Sequence, residues 1–265
     1  MRRGARFRAA AEAALLLAFL PAFANGADET PAVRPYRPTV SNPADLPVPG
    51  WLELEFGALR EASADERRES LPYLLKYAFD ANWGVLAGGD ALVRDVERVG
   101  QTRTGFGDTS ILAKRRLALT DATACALEFG LRVPTAKSGL GSSGTDYVAN
   151  GIVSTDFGRV HLDLNAGPTR IGRPEEGTGR AERAWSAALS GALGPRWTLA
   201  GEVSGTQRRA TPTRSQFLFA LAYAASPRAV FDFGFARGLS VDRERTLFAG
   251  VTVLLGKLER SSPSE

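Results

Sequence analysis

One cysteine, one methionine and one histidine in 265 residues leave little chemistry to assign. A lone cysteine, Cys125, forms no internal disulfide, so this is no disulfide scaffold. The usual structural zinc site needs several Cys or His ligands, and neither is available. No metal or other cofactor is expected. No apolar run reaches the roughly 18 to 20 residues that cross a bilayer as a helix. Glycine, at 28 residues, has no period of three, which excludes a collagen-like chain. No basic stripe is interleaved with aromatics, so nucleic acid is not expected as a partner.

The basic balance is a local feature. Arg2, Arg3, Arg6 and Arg8 precede the apolar stretch 13–24, which ends in the small-x-small site Ala22-Phe23-Ala24. That is the layout of a secretory signal, and residues 1–24 are read as one, cleaved near Ala24. The whole chain has 33 Lys+Arg against 29 Asp+Glu. Removing four arginines and Glu12 leaves 29 against 28, so the remainder is close to neutral. Residues 25–49 carry six prolines, at 31, 35, 38, 43, 47 and 49. Proline forbids regular helix or central strand there. The stretch reads as an irregular leader that either plugs a lumen or hangs as a periplasmic tail, and the tail is the expectation.

From Gly50 onward the pattern is alternation, repeated many times and weakest in the Gly-rich 83–90. In Trp51-Leu-Glu-Leu-Glu-Phe56, Leu52, Leu54 and Phe56 face one way, Glu53 and Glu55 the other. Similar runs occur at 71–79, 83–90, 108–117, 125–133, 146–154, 160–167, 184–193, 197–204, 216–223, 230–237 and 246–255. The clearest sets Cys125, Leu127, Phe129, Leu131 and Val133 against Glu128, Gly130 and Arg132. The parity of 146–154 is ambiguous. Twelve such segments match the length of tilted transmembrane strands. Connections alternate: long at 60–70, 91–104, 134–145, 168–182, 205–214 and 238–245, and short at Asp80-Ala-Asn82, Thr120-Asp-Ala122, Thr155-Asp-Phe-Gly158, Gly194-Pro-Arg196 and Ser226-Pro-Arg228. A soluble sandwich has no reason for this rhythm, whereas an outer-membrane barrel has short turns at one end and longer loops at the other. Trp51, Phe79, Trp83, Trp197 and Tyr223 gather at the short-turn end, as aromatics do at membrane interfaces.

The expected architecture is therefore an all-β transmembrane antiparallel up-and-down barrel of about 12 strands. It occupies 50–257 and is followed by a tail, 258–265. Outer-membrane lipids, the barrel-assembly machinery and a small solute are the expected partners. The alternating polar face assigns a lumen lining: Glu53, Glu55, Lys76, Asp108, Lys114, Arg116, Glu128, Arg132, His161, Asp163, Asn165, Glu202 and Asp232. Opposite charges on adjacent strands attract, so a cross-strand network is expected, with a weak cation preference as the alternative. Small barrels of eight strands are filled and those of 16 to 18 conduct, so a narrow or partly plugged passage is expected. His161 is the single candidate general base, but no serine shares a motif with it, and it reads as a polar lumen residue. Cys125, on the apolar face, reads as a lipid-facing residue and not a reactive thiol.

Residues 71–79 (LPYLLKYAF), 105–117 (GFGDTSILAKRRL) and 131–147 (LRVPTAKSGLGSSGTDY) resemble those of bacterial outer-membrane barrels described as transporters of the phenol-degradation meta pathway. The resemblance runs from about residue 50 to 255. It implies an outer-membrane barrel with a role in uptake of small, often aromatic compounds; the residues themselves offer no catalytic set. A structural or plugged barrel and a lipid-modifying barrel enzyme stand as the alternatives. Two departures are visible: 134–138 read PTAKS without an early glycine, and the last strand carries no terminal aromatic.

Overall fold

The computed structural model describes residues 31–64, 66–97, 101–240 and 244–258. The signal at 1–24 and nearly all of the tail at 258–265 lie outside the described residues. Thirteen strands are present among the described residues: β1 Trp51–Ala62, β2 Glu66–Ala78, β3 Trp83–Glu97, β4 Thr102–Gly105, β5 Thr109–Ala118, β6 Thr123–Val133, β7 Asp146–Phe157, β8 Val160–Arg170, β9 Ala181–Ala192, β10 Trp197–Arg208, β11 Arg214–Ser226, β12 Ala229–Gly238 and β13 Arg245–Lys257. The long strands pair antiparallel in chain order and β1 pairs with β13, so the sheet closes; among the described strands only the short β4, paired with β3 alone, keeps an edge.

Thirteen strands make twelve wall positions. The short β4 pairs with the far half of β3 (Val93↔Gly105) and β5 with its near half (Trp83↔Arg115), so β4 and β5 share one position. The chain breaks between them at 106–108, where the Gly107 amide donates to the Asp90 carbonyl. Alternation alone reads 91–104 as a loop and misses β4, because its residues (Thr-Arg-Thr-Gly) have no apolar face.

The long-loop end also differs from the expectation. β1 and β2 run on to Ala62 and from Glu66, so most of 60–70 is strand and not loop. β3, β8, β10 and β11 extend similarly, and only 134–145 is irregular along its expected length. The backbone ladder continues past the apolar band, where the side chains turn charged. Apolar periodicity finds the edge of that band, not the end of the strand. At the other end the turns are tight. Asp80 accepts from the Asn82 and Trp83 amides at 2.7 and 2.8 Å, and Gly158 has φ +64 between β7 and β8.

The outer surface is apolar. Phe56, Ile111, Leu127, Phe129, Leu164, Phe219, Phe233 and Leu247 are all exposed. A continuous exposed apolar band of this kind is a lipid-facing surface. Its short-turn border holds the expected aromatics: Trp197 stacks tilted on Tyr223 at 4.8 Å, Arg115 lies over Trp83, Arg228 over Trp51, and Phe79 meets Tyr77 edge-on.

The ambiguous strand is resolved by burial. On β7, Asp146, Ile152 and Ser154 are buried and Tyr147 and Val153 exposed, so Ile152 points inward. It packs there on Ala44, Ala124 and Ala126, which explains why its parity is unreadable from an apolar-out rule.

Candidate functional site: the occupied lumen

From residue 31 onward the leader does not hang free as a tail. Its described residues lie inside the barrel, with Tyr36, Ser41, Ala44 and Leu46 buried. An irregular chain enclosed this way must find partners for its amides. The wall supplies them. The Arg34 amide donates to both Glu53 oxygens at 3.3 Å, and the Tyr36 and Arg37 amides donate to Glu55 at 2.6 and 3.1 Å. The Ser41 amide donates to Glu202 at 2.7 Å, Asn42 to Asn165 at 3.0 Å and Ala44 to Ser154 at 2.7 Å. The prolines between them bring no N–H that would need a further partner.

Two buried lysines organise one side of the lumen. Lys76 is the register partner of Glu53. Its ammonium contacts Glu53 at 3.1 Å and Glu55 at 2.7 Å and donates to the Arg34 carbonyl at 2.6 Å. Lys114 is the register partner of Glu128. It contacts Glu128 at 3.0 Å and donates to the Tyr36 hydroxyl and the Pro43 carbonyl. An ammonium has three protons, and each lysine places all of them, one on a leader carbonyl. Tyr36 lies between the two, each ammonium 4.2 Å from its ring centroid. Burial, then the carboxylates Glu128, Glu55 and Glu53, hold its phenol well above the usual range, so it stays a neutral hydroxyl.

The stretch of wall from β8 to β12 is different. Asp232 receives a two-pronged contact from leader Arg37, Nε to Oδ2 at 3.0 Å and Nη2 to Oδ1 at 2.9 Å. Gly57 and Gly250 are register partners, and a Cβ on either would fall within 3.0 Å of the Arg37 guanidinium. The two glycines form the slot through which Arg37 reaches Asp232. The Ser41 hydroxyl bonds Ser186 at 2.8 Å, and the Asn42 amide group donates to Glu128. Asn150 bridges Glu128 and Asn165.

Of the thirteen residues expected to line the lumen, Glu53, Glu55, Lys76, Lys114, Glu128, Asn165, Glu202 and Asp232 contact the leader directly. Arg116 pairs with leader Asp45 at 2.8 Å near the short turns. Three stand apart from it. Asp108 accepts from the Ala136 and Ser142 amides and so anchors the 134–145 loop. Arg132 pairs with Asp146 at 3.6 Å toward the long-loop end. His161 sits between Asp156 at 2.7 Å and Asp163 at 3.1 Å. Asp163 reaches the leader through Ser154, whose hydroxyl donates to it while accepting from Ala44. Alternation did not reveal the leader residues Arg34, Tyr36, Arg37, Ser41 and Asn42. The signal was Glu202 and Asp232, inward carboxylates with no wall Lys or Arg partner among the described residues.

Two cavities flank the leader. One of about 600 Å³ opens toward the long-loop end and reaches Val40 and Asn42. One of about 370 Å³ opens toward the short turns and reaches Tyr36, Thr39, Pro43, His161 and Asp163. The leader turn 39–43 stands between them. A second inward apolar cluster, Leu218, Ala220, Ala236 and Phe248, with Leu59 against it, faces the same interior.

A closed twelve-position antiparallel barrel with an apolar outside and a charged inside is the fold of bacterial outer-membrane β-barrels. The chain belongs to the family described as "Putative MetA-pathway of phenol degradation", whose model matches residues 38–255. No curated protein matches it in sequence. Among solved structures it is similar to an outer membrane channel from Pseudomonas putida F1, at 14% identity and TM-score 0.64, over 79% of this chain and 96% of that one. The NanC porin is similar at 10% identity and TM-score 0.55, over 76% and 98%. The CymD monoaromatic hydrocarbon channel is similar at 10% identity and TM-score 0.51, over 81% and 90%.

Proposed function

We propose that this barrel is a passive channel of the Gram-negative outer membrane for small solutes, closed at rest by its own leader. The observation that carries this is the pair of cavities meeting the same leader turn, 39–43, from opposite ends. A solute crosses only when that turn shifts. The outer cavity, at about 600 Å³, is within the range of small-molecule sites, about 300–1,000 Å³. The inward Leu218–Phe248 cluster, the family, and the likeness to a monoaromatic hydrocarbon channel favour apolar or aromatic solutes. The enzyme reading is weaker. Ser154 is bonded to Asp163 and not to His161, so the imidazole is not placed to take a serine proton.

The test is a reversible lock. Ser41→Cys with Ser186→Cys, in a Cys125→Ser background, places two thiols where the hydroxyls now lie 2.8 Å apart. In planar-bilayer recordings the oxidised protein should stay fully closed, and the reduced one should show transient openings as the leader turn leaves its seat. Equal conductance in both states would sink gating by the leader. Silence in both, with native protein also silent, would favour a purely structural barrel.

A further inference from the structure

The lumen network leaves the outer face of β12, β13, β1, β2 and β3 unexplained near the long-loop end. Register there places outward side chains in rows. One row runs Arg237, Arg245, Ala62, Arg67, and the next runs Leu247, Arg60, Glu69, Arg94. Among the described residues, five arginines thus share a patch with a single carboxylate. Arg67 and Arg94 both lean on Glu69, at 3.3 and 3.6 Å. Arg60, Arg237 and Arg245 have no carboxylate partner among the described residues, and all three are exposed. Arg237 and Arg245 are direct register partners, and like charges directly opposite on a sheet repel. A bare surface has no reason to hold such a cluster together.

Immediately below, toward the middle of the wall, the chemistry changes. Ala58 and Ala249 are register partners, and their small side chains floor a groove of about 590 Å³ walled by Leu71, Leu92 and Leu247. Arg60 and Arg94 stand at its charged end, with Glu69 between them. The groove is apolar where a membrane is apolar, and cationic where a lipid headgroup would lie.

We propose that this face binds a phosphorylated glycolipid of the outer leaflet, the lipid A portion of lipopolysaccharide. Its phosphates lie across Arg60, Arg94 and Arg245, and one acyl chain lies on the Ala58–Ala249 floor. The occupant follows from charge complementarity: two phosphates match a patch carrying four more positive than negative charges, and guanidinium pairs with phosphate in two-pronged fashion. The site rests on the outer-membrane placement proposed above, with the long-loop end outward.

Native mass spectrometry of the detergent-extracted full chain tests it, with diphosphoryl lipid A, monophosphoryl lipid A and phosphatidylglycerol as probes. The native protein should retain diphosphoryl lipid A in preference to the other two. Arg60→Gln/Arg94→Gln/Arg245→Gln should bind it about tenfold more weakly, as expected for loss of charge-assisted contacts. Arg170→Gln/Arg183→Gln, on the opposite wall, should bind as the native chain does. Heat-modifiable gel mobility verifies that each variant is folded, and Arg60→Gln alone serves if the triple variant does not assemble. Undiminished binding by a folded patch variant would overturn the proposal, as would phosphatidylglycerol binding equally well. Recovery of the native chain outside the outer-membrane fraction would instead overturn the placement itself.

Discussion

The two sides of the lumen solve one problem differently. On the β1–β6 side, Glu53, Glu55 and Glu128 are neutralised by wall lysines at fixed register, Lys76 and Lys114. On the β8–β12 side, Asp163, Glu202 and Asp232 have no wall Lys or Arg pair among the described residues. Asp232 pairs with leader Arg37, Glu202 takes a leader amide, and Asp163 takes His161 and Ser154. A buried carboxylate needs a counter-charge or donors, because desolvation otherwise disfavours its charged form. The first side carries that compensation in the wall and would keep it with the leader gone. The second borrows much of it from the leader. The lumen is therefore built to be complete only when the leader is in, and the β8–β12 side is where release must be felt.

The comparison breaks most severely at a lysine. Lys76→Met should strip the counter-ion from two buried carboxylates, and removing one member of a buried pair costs about 3–5 kcal/mol. The expected result is a lower midpoint in denaturant unfolding from lipid micelles, with the wall and the leader weakened together. A folded barrel of native stability would mean that the wall lysines are not what neutralises this side.

The inside–outside assignment under the whole comparison is tested on β6, which places Glu128 inward beside Lys114 and Phe129 outward. Arginine on the lipid face near the midplane costs about 2–4 kcal/mol. Phe129→Arg should therefore deplete folded barrel in the membrane fraction, and Phe129→Leu should not. If the arginine is harmless, the two faces are exchanged and the lysine side is not a lumen side at all.

The wall was legible because one physical rule writes it. A strand between lipid and water must alternate, so Leu127, Phe129 and Leu131 against Glu128 and Arg132 define both strand and face. The rule fails where its cause fails. Ile152 and Phe248 point inward, since leader and lumen offer them apolar neighbours, and β4 has no apolar side to display. The leader was illegible for a related reason. Its six prolines correctly exclude strand and helix, but an irregular segment carries no period that says where it lies. Its destination was written in the wall instead, in Glu202 and Asp232 lacking cations and in the facing glycines Gly57 and Gly250. Those become readable only once register brings them opposite Arg37.

The smallest effects discriminate most sharply, because they ask which leader contact the β8–β12 side depends on. Asp232→Asn removes the charge that Arg37 meets, and the hydrogen bonds of a charged pair are worth about 1.5–3 kcal/mol. Ser41→Ala removes the bond to Ser186 but leaves the Ser41 amide on Glu202, a loss of about 0.5–1.5 kcal/mol. Neither position touches the wall lysines, so denaturant midpoints should stay close to native in both. The leader should respond unequally. Taking about 2 kcal/mol for the first and about 1 for the second, the released fraction rises roughly thirtyfold and roughly fivefold. Limited proteolysis of the leader in folded protein, or open probability in bilayer recordings, reads that ratio directly. If Ser41→Ala opens the barrel as readily as Asp232→Asn, the leader is held by its fit and its amides. The counter-charge then plays no special part, and the contrast between the two sides of the lumen loses its electrostatic basis.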